Sequence, residues 1–209
     1  MAPEHPEPPD HYFAARPASA DERRLLTVDL AGRAVTVETA GGVFSPDHVD
    51  LGTRVLLRTV TPPEAGHVLD LGCGWGPVAL SVALASPGAT VWAVDVNERA
   101  RDLTARNAAR LGLDLRVAAP QDVPDDVAFT AILSNPPIRI GKAALHELLT
   151  HWLARLAPGG AADLVVQRNL GADSLQAWLR QEGWAATRTA SAKGFRVLHV
   201  PAREGTRGP

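Results

Sequence analysis

The chain has 209 residues, of which 45% are hydrophobic and 21% are charged, and its formal net charge is −2. This length suits one domain with a core of ordinary size, and the charge balance excludes a strongly basic protein while leaving room for a local basic face. The single cysteine excludes an intrachain disulfide and favours a reducing compartment. No apolar run approaches the ~20 residues of a membrane span and no secretory signal is visible, so we expect a cytoplasmic protein.

The distribution of proline, glycine and charge suggests how the chain is divided. Residues 1–10 are rich in proline and acidic side chains, and residues 202–209 are rich in polar residues and glycine, so both are predicted to be disordered tails. Residues 11–60 are expected to form an extension appended to a core domain at 61–201.

The extension begins with a hairpin pattern. Residues 25–30 and 34–39 alternate apolar and polar side chains on either side of Ala31-Gly32-Arg33, which predicts two antiparallel strands joined by a tight turn. A loop of sequence GGVFSPDH follows, and residues 49–60 are predicted to be helical.

The core domain alternates strands with helices. The predicted strands are residues 68–71, 90–95, 114–119, 129–134 and 161–167, and the predicted helices are residues 77–85, 98–111, 143–156 and 174–183. Two last strands, 185–191 and 195–200, are separated only by a short turn and should be antiparallel. Five βα units and this hairpin predict an α/β fold, a doubly wound seven-stranded sheet with one reversed edge strand.

A glycine-rich turn follows the first core strand in the sequence VLDLGCGWGP. Asp70, Gly72, Gly74 and Gly76 stand at the junction of strand and helix, where glycines let the backbone approach a ligand and the helix presents unpaired N–H groups. Asp95 ends the second core strand, where its carboxylate can accept both hydroxyls of a ribose. A tight turn with no ligand is the alternative, and the spacing differs from the G-x-G-x-x-G of dinucleotide-binding folds.

This D-x-G-x-G-x-G spacing resembles motif I of the class I S-adenosylmethionine-dependent methyltransferases, a Rossmann-like fold whose sheet also ends in a hairpin. The resemblance implies S-adenosylmethionine as the cofactor, with Asp70 near its methionyl amino group and Asp95 on its ribose. Asp122, or the neighbouring Gln121, would meet the adenine amine. Cys73 would be a small residue of the turn and not a nucleophile.

A second motif, Asn135-Pro136-Pro137, ends the fourth core strand. It resembles the (N/D)-P-P-(Y/F) motif of methyltransferases that modify a planar amino nitrogen, namely adenine N6, guanine N2 or a glutamine amide. Such a nitrogen is a poor nucleophile because its lone pair is delocalised. The Asn135 side-chain oxygen and the Pro136 carbonyl could accept its two N–H groups and aim the lone pair at the methyl group. Ile138 stands where the motif has an aromatic residue, and offers an apolar face instead.

The wider sequence resembles the RsmC-type ribosomal RNA guanine-N2 methyltransferases, in their catalytic domain and single-domain relatives. The segments that carry the resemblance span residues 11–200 and read HYF, GGVFSPDHVDLGTRVL, VLDLGCGWGPVAL, VDVNERA, SNPPIRIGK, VVQRNLGADSL and KGFRVL. The resemblance implies ribosomal RNA, or an assembly intermediate of a ribosomal subunit, as the partner. The residues expected to be catalytic are Asn135, Pro136, Pro137 and Ile138. The residues expected to bind the cofactor are Asp70, Gly72, Cys73, Gly74, Gly76, Asp95, Val96, Asp122 and Asn135.

Basic and aromatic side chains are candidates for contact with RNA. Phe44 or Phe195 could sandwich the target base. A basic rim could supply phosphate contacts despite the acidic net charge; its expected members are Arg139, Lys142, Arg168, Lys193 and Arg196. Two other readings stay open: N-methylation of a protein glutamine or another small amine, and a catalytically silent RNA-binding module.

The sequence HELLTH at 146–151 nearly matches the zinc motif H-E-x-x-H. Its two histidines are five positions apart and therefore point about 140° away from each other on a helix. We expect no metal site.

Overall fold

The computed structural model describes residues 22–203. The predicted tail at 1–10, the HYF segment at 11–13 and residues 204–209 lie outside the described residues. Within the part that is described, no helix is both long and apolar enough to cross a membrane.

The predicted N-terminal hairpin is present as a separate two-stranded sheet. Strands β1 (Arg24–Leu30) and β2 (Arg33–Thr39) are antiparallel, with Leu30 paired to Arg33. The turn residues Ala31 and Gly32 both have positive φ, which is the backbone of the two-residue turn that matches strand twist. Leu30 and Val37 are buried in a cluster that the hairpin shares with the second and third helices.

A seven-stranded sheet forms the centre of the fold. Its strands are β3 (Ala65–Leu71), β4 (Gly88–Val94), β5 (Leu115–Ala118), β6 (Phe129–Ser134), β7 (Leu156–Gln167), β8 (Thr187–Ala192) and β9 (Phe195–Pro201), and their order in the sheet is β5-β4-β3-β6-β7-β9-β8. Strands β3 to β7 are parallel to one another, whereas β9 is antiparallel to both β7 and β8. The predicted terminal hairpin is therefore confirmed, but the prediction of a reversed edge strand is wrong. The reversed strand β9 lies inside the sheet, because it pairs with β7 over seven residues, and β8 forms the edge.

Five α-helices accompany the strands within residues 22–203: α1 (Leu51–Thr59), α2 (Pro77–Ala85), α3 (Glu98–Leu111), α4 (Lys142–Leu153) and α5 (Ala172–Gln181). The third of the five predicted βα units lacks its helix, because the connection from β5 to β6 contains Pro120 and Pro124 and forms only a 3-10 turn at Pro120–Asp122. Helix α4 ends three residues earlier than predicted, since Leu156 already pairs with Phe129 as part of β7. The register between β6 and β7 shifts near Phe129, and Gly160 packs there against the backbone of β6.

Helices cover both faces of the sheet. One buried cluster joins α4 and α5 to one face through side chains such as Leu149, Trp152 and Leu179. A second joins α1 and α2 to the opposite face through Leu56 and Val82. Helix α1, which we assigned to the N-terminal extension, thus packs directly on the sheet, next to β7 and β9. This two-sided arrangement leaves the carboxyl ends of β3, β4 and β6 facing one cleft, as the chemistry of the motifs requires.

Candidate active site

The glycine-rich turn connects β3 to α2. Gly72 has φ of 81° and Gly76 has φ of 98°, conformations that a side chain would strain. Gly76 is the N-cap of α2 and Pro77 is its first residue, which is a favoured start for a helix. The N–H groups of Gly72 and Cys73 both donate to the carbonyl oxygen of Val94, at 2.8 and 3.1 Å, so the turn is tied to the end of β4.

Asp70 is a buried carboxyl group beside this turn. Its side chain is 2% exposed and accepts a 2.9 Å hydrogen bond from the N–H of Ala79 in α2. Burial raises the pKa of Asp70 to about 7, the hydrogen bond from Ala79 opposes the shift, and the negative charge of Asp95 adds to it. Because no basic side chain among residues 22–203 compensates Asp70, the site favours a cationic ligand group at this position.

Asp95 directly follows β4 and lines the same cleft as Asp70. One carboxylate oxygen accepts from the N–H of Gly74 at 3.0 Å and the other accepts from the N–H of Asn97 at 2.9 Å. Burial raises the pKa of Asp95, while these backbone donors and the charge of Arg101 lower it. The two N–H groups fix the carboxylate, and each oxygen retains acceptor capacity for a ligand hydroxyl.

The Asn-Pro-Pro segment follows β6, and β6 lies beside β3. The Ser134 hydroxyl donates to the carbonyl oxygen of Leu71 at 2.7 Å, which links the two strand ends. Pro137 has φ of −74° and ψ of 77°, and the N–H of Ile138 donates to the Pro136 carbonyl at 2.8 Å, which is an inverse γ-turn. Proline at the centre of this turn supplies the required φ, and the Pro136 oxygen keeps a second lone pair.

The Asn135 side chain is held by the start of helix α1. Its nitrogen Nδ2 lies 3.0 Å from Oδ2 of Asp50 and 3.2 Å from Oγ1 of Thr53. Asp50 is the N-cap of α1, and the same oxygen accepts from the N–H groups of Gly52 and Thr53. No hydrogen bond to the side-chain oxygen of Asn135 is formed by residues 22–203.

These elements line a single cleft of about 950 Å³, counting the space open to solvent at its mouth. The predicted site residues in its lining are Phe44, Asp70, Gly72, Cys73, Gly74, Asp95, Val96, Asn135, Pro136 and Pro137. The volume lies in the range of cofactor pockets. The structure thus brings together the glycine-rich turn and the Asn-Pro-Pro segment, two motifs that are far apart in the sequence.

The loop between β2 and α1 closes one side of the cleft. The indole N–H of Trp75, in the glycine turn, donates to the carbonyl oxygen of Ser45 at 3.0 Å. Asn97, which follows β4, donates through Nδ2 to the carbonyl oxygen of Gly42 at 2.8 Å. These bonds place Phe44, whose side chain is 37% exposed, at the mouth of the cleft.

Some predicted residues lie elsewhere. Asp122 lines a separate shallow depression beside α3 and β5, and it is Pro120 that reaches the cleft from this connection. Ile138 is partly buried against the α4–α5 core cluster and is not part of the cleft lining. Gly76 stands behind the lining, where an added Cβ would meet Thr104. Burial raises the pKa of the Cys73 thiol well above its usual range, which is consistent with a packing residue.

The predicted basic rim divides into two parts. Arg168, Lys193, Phe195 and Arg196 line one depression at the turn between β8 and β9. Arg196 forms an ion pair with Asp173 of α5, so its charge is partly compensated. Arg139 and Lys142 are exposed just after the Asn-Pro-Pro segment. The Phe195 ring packs over Gly52 at the start of α1, where an added Cβ would lie 2.8 Å from it.

Sequence reasoning missed several residues of the cleft. They are Thr53, Leu71, Pro77, Val78, Val94, Ala100, Pro120 and Leu148, together with Asp50, which contacts Asn135. Most are apolar side chains whose place depends on tertiary packing. The N-cap pattern of Asp50 before an apolar helix was a visible signal, but it indicates a helix start and not a contact with Asn135.

A seven-stranded sheet of this order, with a glycine turn after β3 and acids after β3 and β4, defines the Rossmann-like fold of the class I methyltransferases. The model of the Methyltransferase small domain family matches residues 34–199, and the chain belongs to this family. Family membership confirms the predicted methyltransferase class and its cofactor, S-adenosylmethionine.

Individual relatives point to the RsmC type. The chain is 34% identical to the uncharacterized protein YbxB of Bacillus subtilis, over 79% of this chain and 85% of that protein. It is 30% identical to ribosomal RNA small subunit methyltransferase C of Shewanella amazonensis, over 75% of this chain and 47% of the relative. The solved structure of the T. thermophilus 16S rRNA N2 methyltransferase RsmC, in complex with AdoMet and guanosine, superposes with a TM-score of 0.76. It is 25% identical and is matched over 90% of this chain and 52% of its own. The chain therefore spans about half the length of the two RsmC enzymes.

Proposed function

We propose that this chain transfers a methyl group from S-adenosylmethionine to the exocyclic N2 amine of a guanine in small-subunit ribosomal RNA. The observation that carries the proposal is the shared cleft, in which Asn135 and Pro136 face the same space as Asp70 and Asp95. The similarity to the RsmC structure, which contains AdoMet and guanosine, supports this choice of acceptor. An enzyme of this kind would work where ribosomes assemble, in the cytoplasm.

The polar groups of the cleft fit the cofactor. Asp70 is a buried carboxyl that has no basic partner in the described part of the chain, and it is suited to an ammonium group; the fixed carboxylate of Asp95 is suited to a pair of ribose hydroxyls. The cofactor supplies an activated methyl group on a sulfonium sulfur. Pro120 and Val96 provide apolar surface for the adenine of the cofactor. Asp122 has no part in this proposal because it lines a separate depression and not the cleft.

Asn135 and Pro136 would orient the acceptor amine. The Asn135 side-chain oxygen and the free lone pair of the Pro136 carbonyl would each accept one N–H group of the guanine N2. Holding both hydrogens favours a pyramidal nitrogen and directs its lone pair into the cleft. Neither oxygen is basic enough to take a proton, so the surplus proton of the methylated amine leaves to water.

The apolar contacts to the base would come from Phe44 and the prolines. Phe44 lines the cleft together with Asn135, Pro136 and Pro137, whereas Phe195 and Ile138 are not part of its lining. We favour Phe44 as the stacking partner because of this position. A guanine in a paired region would have to be flipped out to reach this depth.

The direct experiment compares modified nucleosides of each ribosomal RNA from cells with and without the gene, by mass spectrometry. We expect one N2-methylguanosine in the small-subunit RNA to disappear on deletion and to return with the wild-type gene. Purified protein should incorporate labelled methyl groups into unmodified small-subunit RNA or its assembly particles. Label that enters protein would support the glutamine alternative, and cofactor binding without any incorporation would support the silent module.

Asp95→Ala is expected to weaken cofactor binding by about tenfold to a hundredfold, because the variant loses the charge-assisted hydrogen bonds to two ribose hydroxyls. Isothermal titration with S-adenosylhomocysteine measures this effect. The carboxylate also accepts hydrogen bonds from the N–H groups of Gly74 and Asn97. The free energy of unfolding of the variant is therefore measured together with its cofactor affinity. Asp114→Ala removes an exposed carboxylate after α3 and is the matched control; equal affinities of the two variants would contradict the assignment.

Replacing Arg168 and Lys193 together by glutamine should weaken RNA binding and make it less dependent on salt. The slope of log K against the logarithm of the salt concentration should decrease in magnitude by about one to two. Cofactor affinity should not change, because both residues lie outside the cleft. Filter binding at several salt concentrations checks this. The double variant Arg58→Gln, Arg180→Gln removes two exposed charges elsewhere and should keep the wild-type slope.

A further inference from the structure

We infer that Asp50 and Thr53 are positioning residues, which hold the nitrogen of the Asn135 side chain and thereby turn its oxygen toward the acceptor amine. This inference rests on the proposed function, because it concerns how the motif residue Asn135 is oriented for its task. It gives the first turn of helix α1 a role in orienting the Asn135 side chain, in addition to its structural role.

The contacts that carry the inference are specific. Asn135 Nδ2 donates to Oδ2 of Asp50 at 3.0 Å and to Oγ1 of Thr53 at 3.2 Å, which uses both of its hydrogens. Thr53 is 3% exposed and lines the cleft beside Asn135. The amide oxygen, on the other branch of the planar group, is left for a ligand.

The carboxylate of Asp50 decides the orientation of the amide. A carboxylate can only accept, so rotating the Asn135 amide by 180° would set two oxygens against each other. Thr53 alone would not decide it, because a hydroxyl can accept from nitrogen or donate to oxygen. Asp50 is itself fixed by the N–H groups of Gly52 and Thr53, at 2.7 and 3.3 Å, and cannot easily turn away. The rigid helix start therefore imposes one rotamer on a residue 85 positions away.

The alternative is that Asp50 only caps helix α1 and does not position Asn135. The substitution Asp50→Ser separates these two roles. Serine is as good an N-cap as aspartate but is too short to reach Asn135. We expect Asp50→Ser to lower kcat by about tenfold to a hundredfold, as small misplacements of reacting groups do, while the melting temperature and the cofactor Kd stay near wild type. Asp47→Ser, an exposed carboxylate of the same loop, is the matched control and should retain full kcat.

Thr53 provides a second, independent variant. Thr53→Val keeps the shape of the side chain and removes the acceptor hydroxyl, whereas Thr53→Ser keeps the hydroxyl. We expect Thr53→Val to lower kcat by about threefold to tenfold, because it removes one neutral hydrogen bond. Thr53→Ser should have a kcat near that of wild type. This pair remains informative if Asp50→Ser does not fold.

A readout without substrate tests the orientation itself. In protein labelled with ¹⁵N-asparagine, the side-chain amide signals of Asn135 should exchange slowly in wild type and shift and exchange faster in Asp50→Ser and Thr53→Val. Unchanged signals together with wild-type kcat in both variants would overturn the inference. If wild type methylates no RNA, the proposed function fails by itself, and the amide signals still show whether Asp50 and Thr53 hold Asn135.

Discussion

Asn135→Ala is expected to reduce kcat by about a hundredfold or more, the usual cost of removing one preorganised polar group from a transition state. The reason is that the side-chain oxygen of Asn135 is the proposed acceptor for one N–H of the target amine, and alanine offers none. The affinity for S-adenosylhomocysteine should stay within about threefold, because Asp70, Asp95 and the glycine turn keep their own contacts. Single-turnover methyl transfer and isothermal titration measure the two quantities.

The matched control for this substitution is Asn169→Ala, which removes an exposed asparagine from the 3-10 turn after β7. It should methylate at the wild-type rate. Normal turnover by Asn135→Ala would refute the mechanism assigned to the Asn-Pro-Pro segment. Loss of cofactor affinity equal to the loss of rate would instead show that Asn135 acts in binding the cofactor.

Cofactor affinity is expected to fall as the pH is lowered through the region of the Asp70 pKa, about 7. The cofactor is expected to place a cation beside Asp70, and only the ionised carboxyl attracts it. Binding below this pKa must therefore release a proton, and Kd should rise by up to about tenfold per pH unit. Isothermal titration in buffers of different ionisation enthalpy counts the released protons.

The stability of the cofactor-free protein should change in the opposite sense. The pKa of Asp70 is higher in the folded protein than the ordinary value of 3.8, so the folded state binds the proton more tightly than the unfolded chain. The free energy of unfolding therefore gains from this group as the pH falls from about 7 toward 4, and loses as the pH rises through 7. Chemical denaturation at a series of pH values measures this dependence.

Asp70→Asn isolates the contribution of this carboxyl. The variant keeps an acceptor for the N–H of Ala79 but carries no charge, so it should bind the cofactor weakly with little dependence on pH near 7. Without cofactor it should be more stable than wild type at about pH 8, where wild type holds a buried charge. Asp95 also has a pKa raised by burial, and its charge contributes to the raised pKa of Asp70. The pH dependence of the variant is therefore measured in full beside that of wild type, and the comparison reports on the coupled pair. A wild-type Kd that is constant from about pH 6 to 8 would exclude the proposed role of Asp70.

Most elements of the fold could be predicted because they depend on local patterns. The N-terminal hairpin was visible in the alternation around Ala31 and Gly32, whose positive φ the turn requires. The alternation of strands and helices gave a parallel sheet, because such strands need crossover connections. The predicted bounds failed where pairing between distant segments overrides local propensity. Leu156 joins β7 because Phe129 is its partner across the sheet, not because of its neighbours in sequence.

The candidate site was predicted in part for the same reason. Glycine spacing after a strand and two prolines after another strand are local signals with direct chemical consequences. Asp122 does not line the cleft, whereas Pro120, from the same 3-10 turn after β5, does; its predicted contact with the adenine amine stays a prediction. Ile138, which was expected to offer an apolar face to the target base, is partly buried against the core cluster and is not part of the cleft lining.

The sequence by itself determined the type of fold and the positions of the glycine-rich turn and the Asn-Pro-Pro segment, because these follow from periodicity and from residues with restricted backbones. Only the tertiary structure decided that β9 is inserted between β7 and β8, and that Asp50 holds Asn135. Both depend on contacts between segments far apart in the chain. No local pattern encodes such contacts, since they arise when the buried faces of the elements pack together.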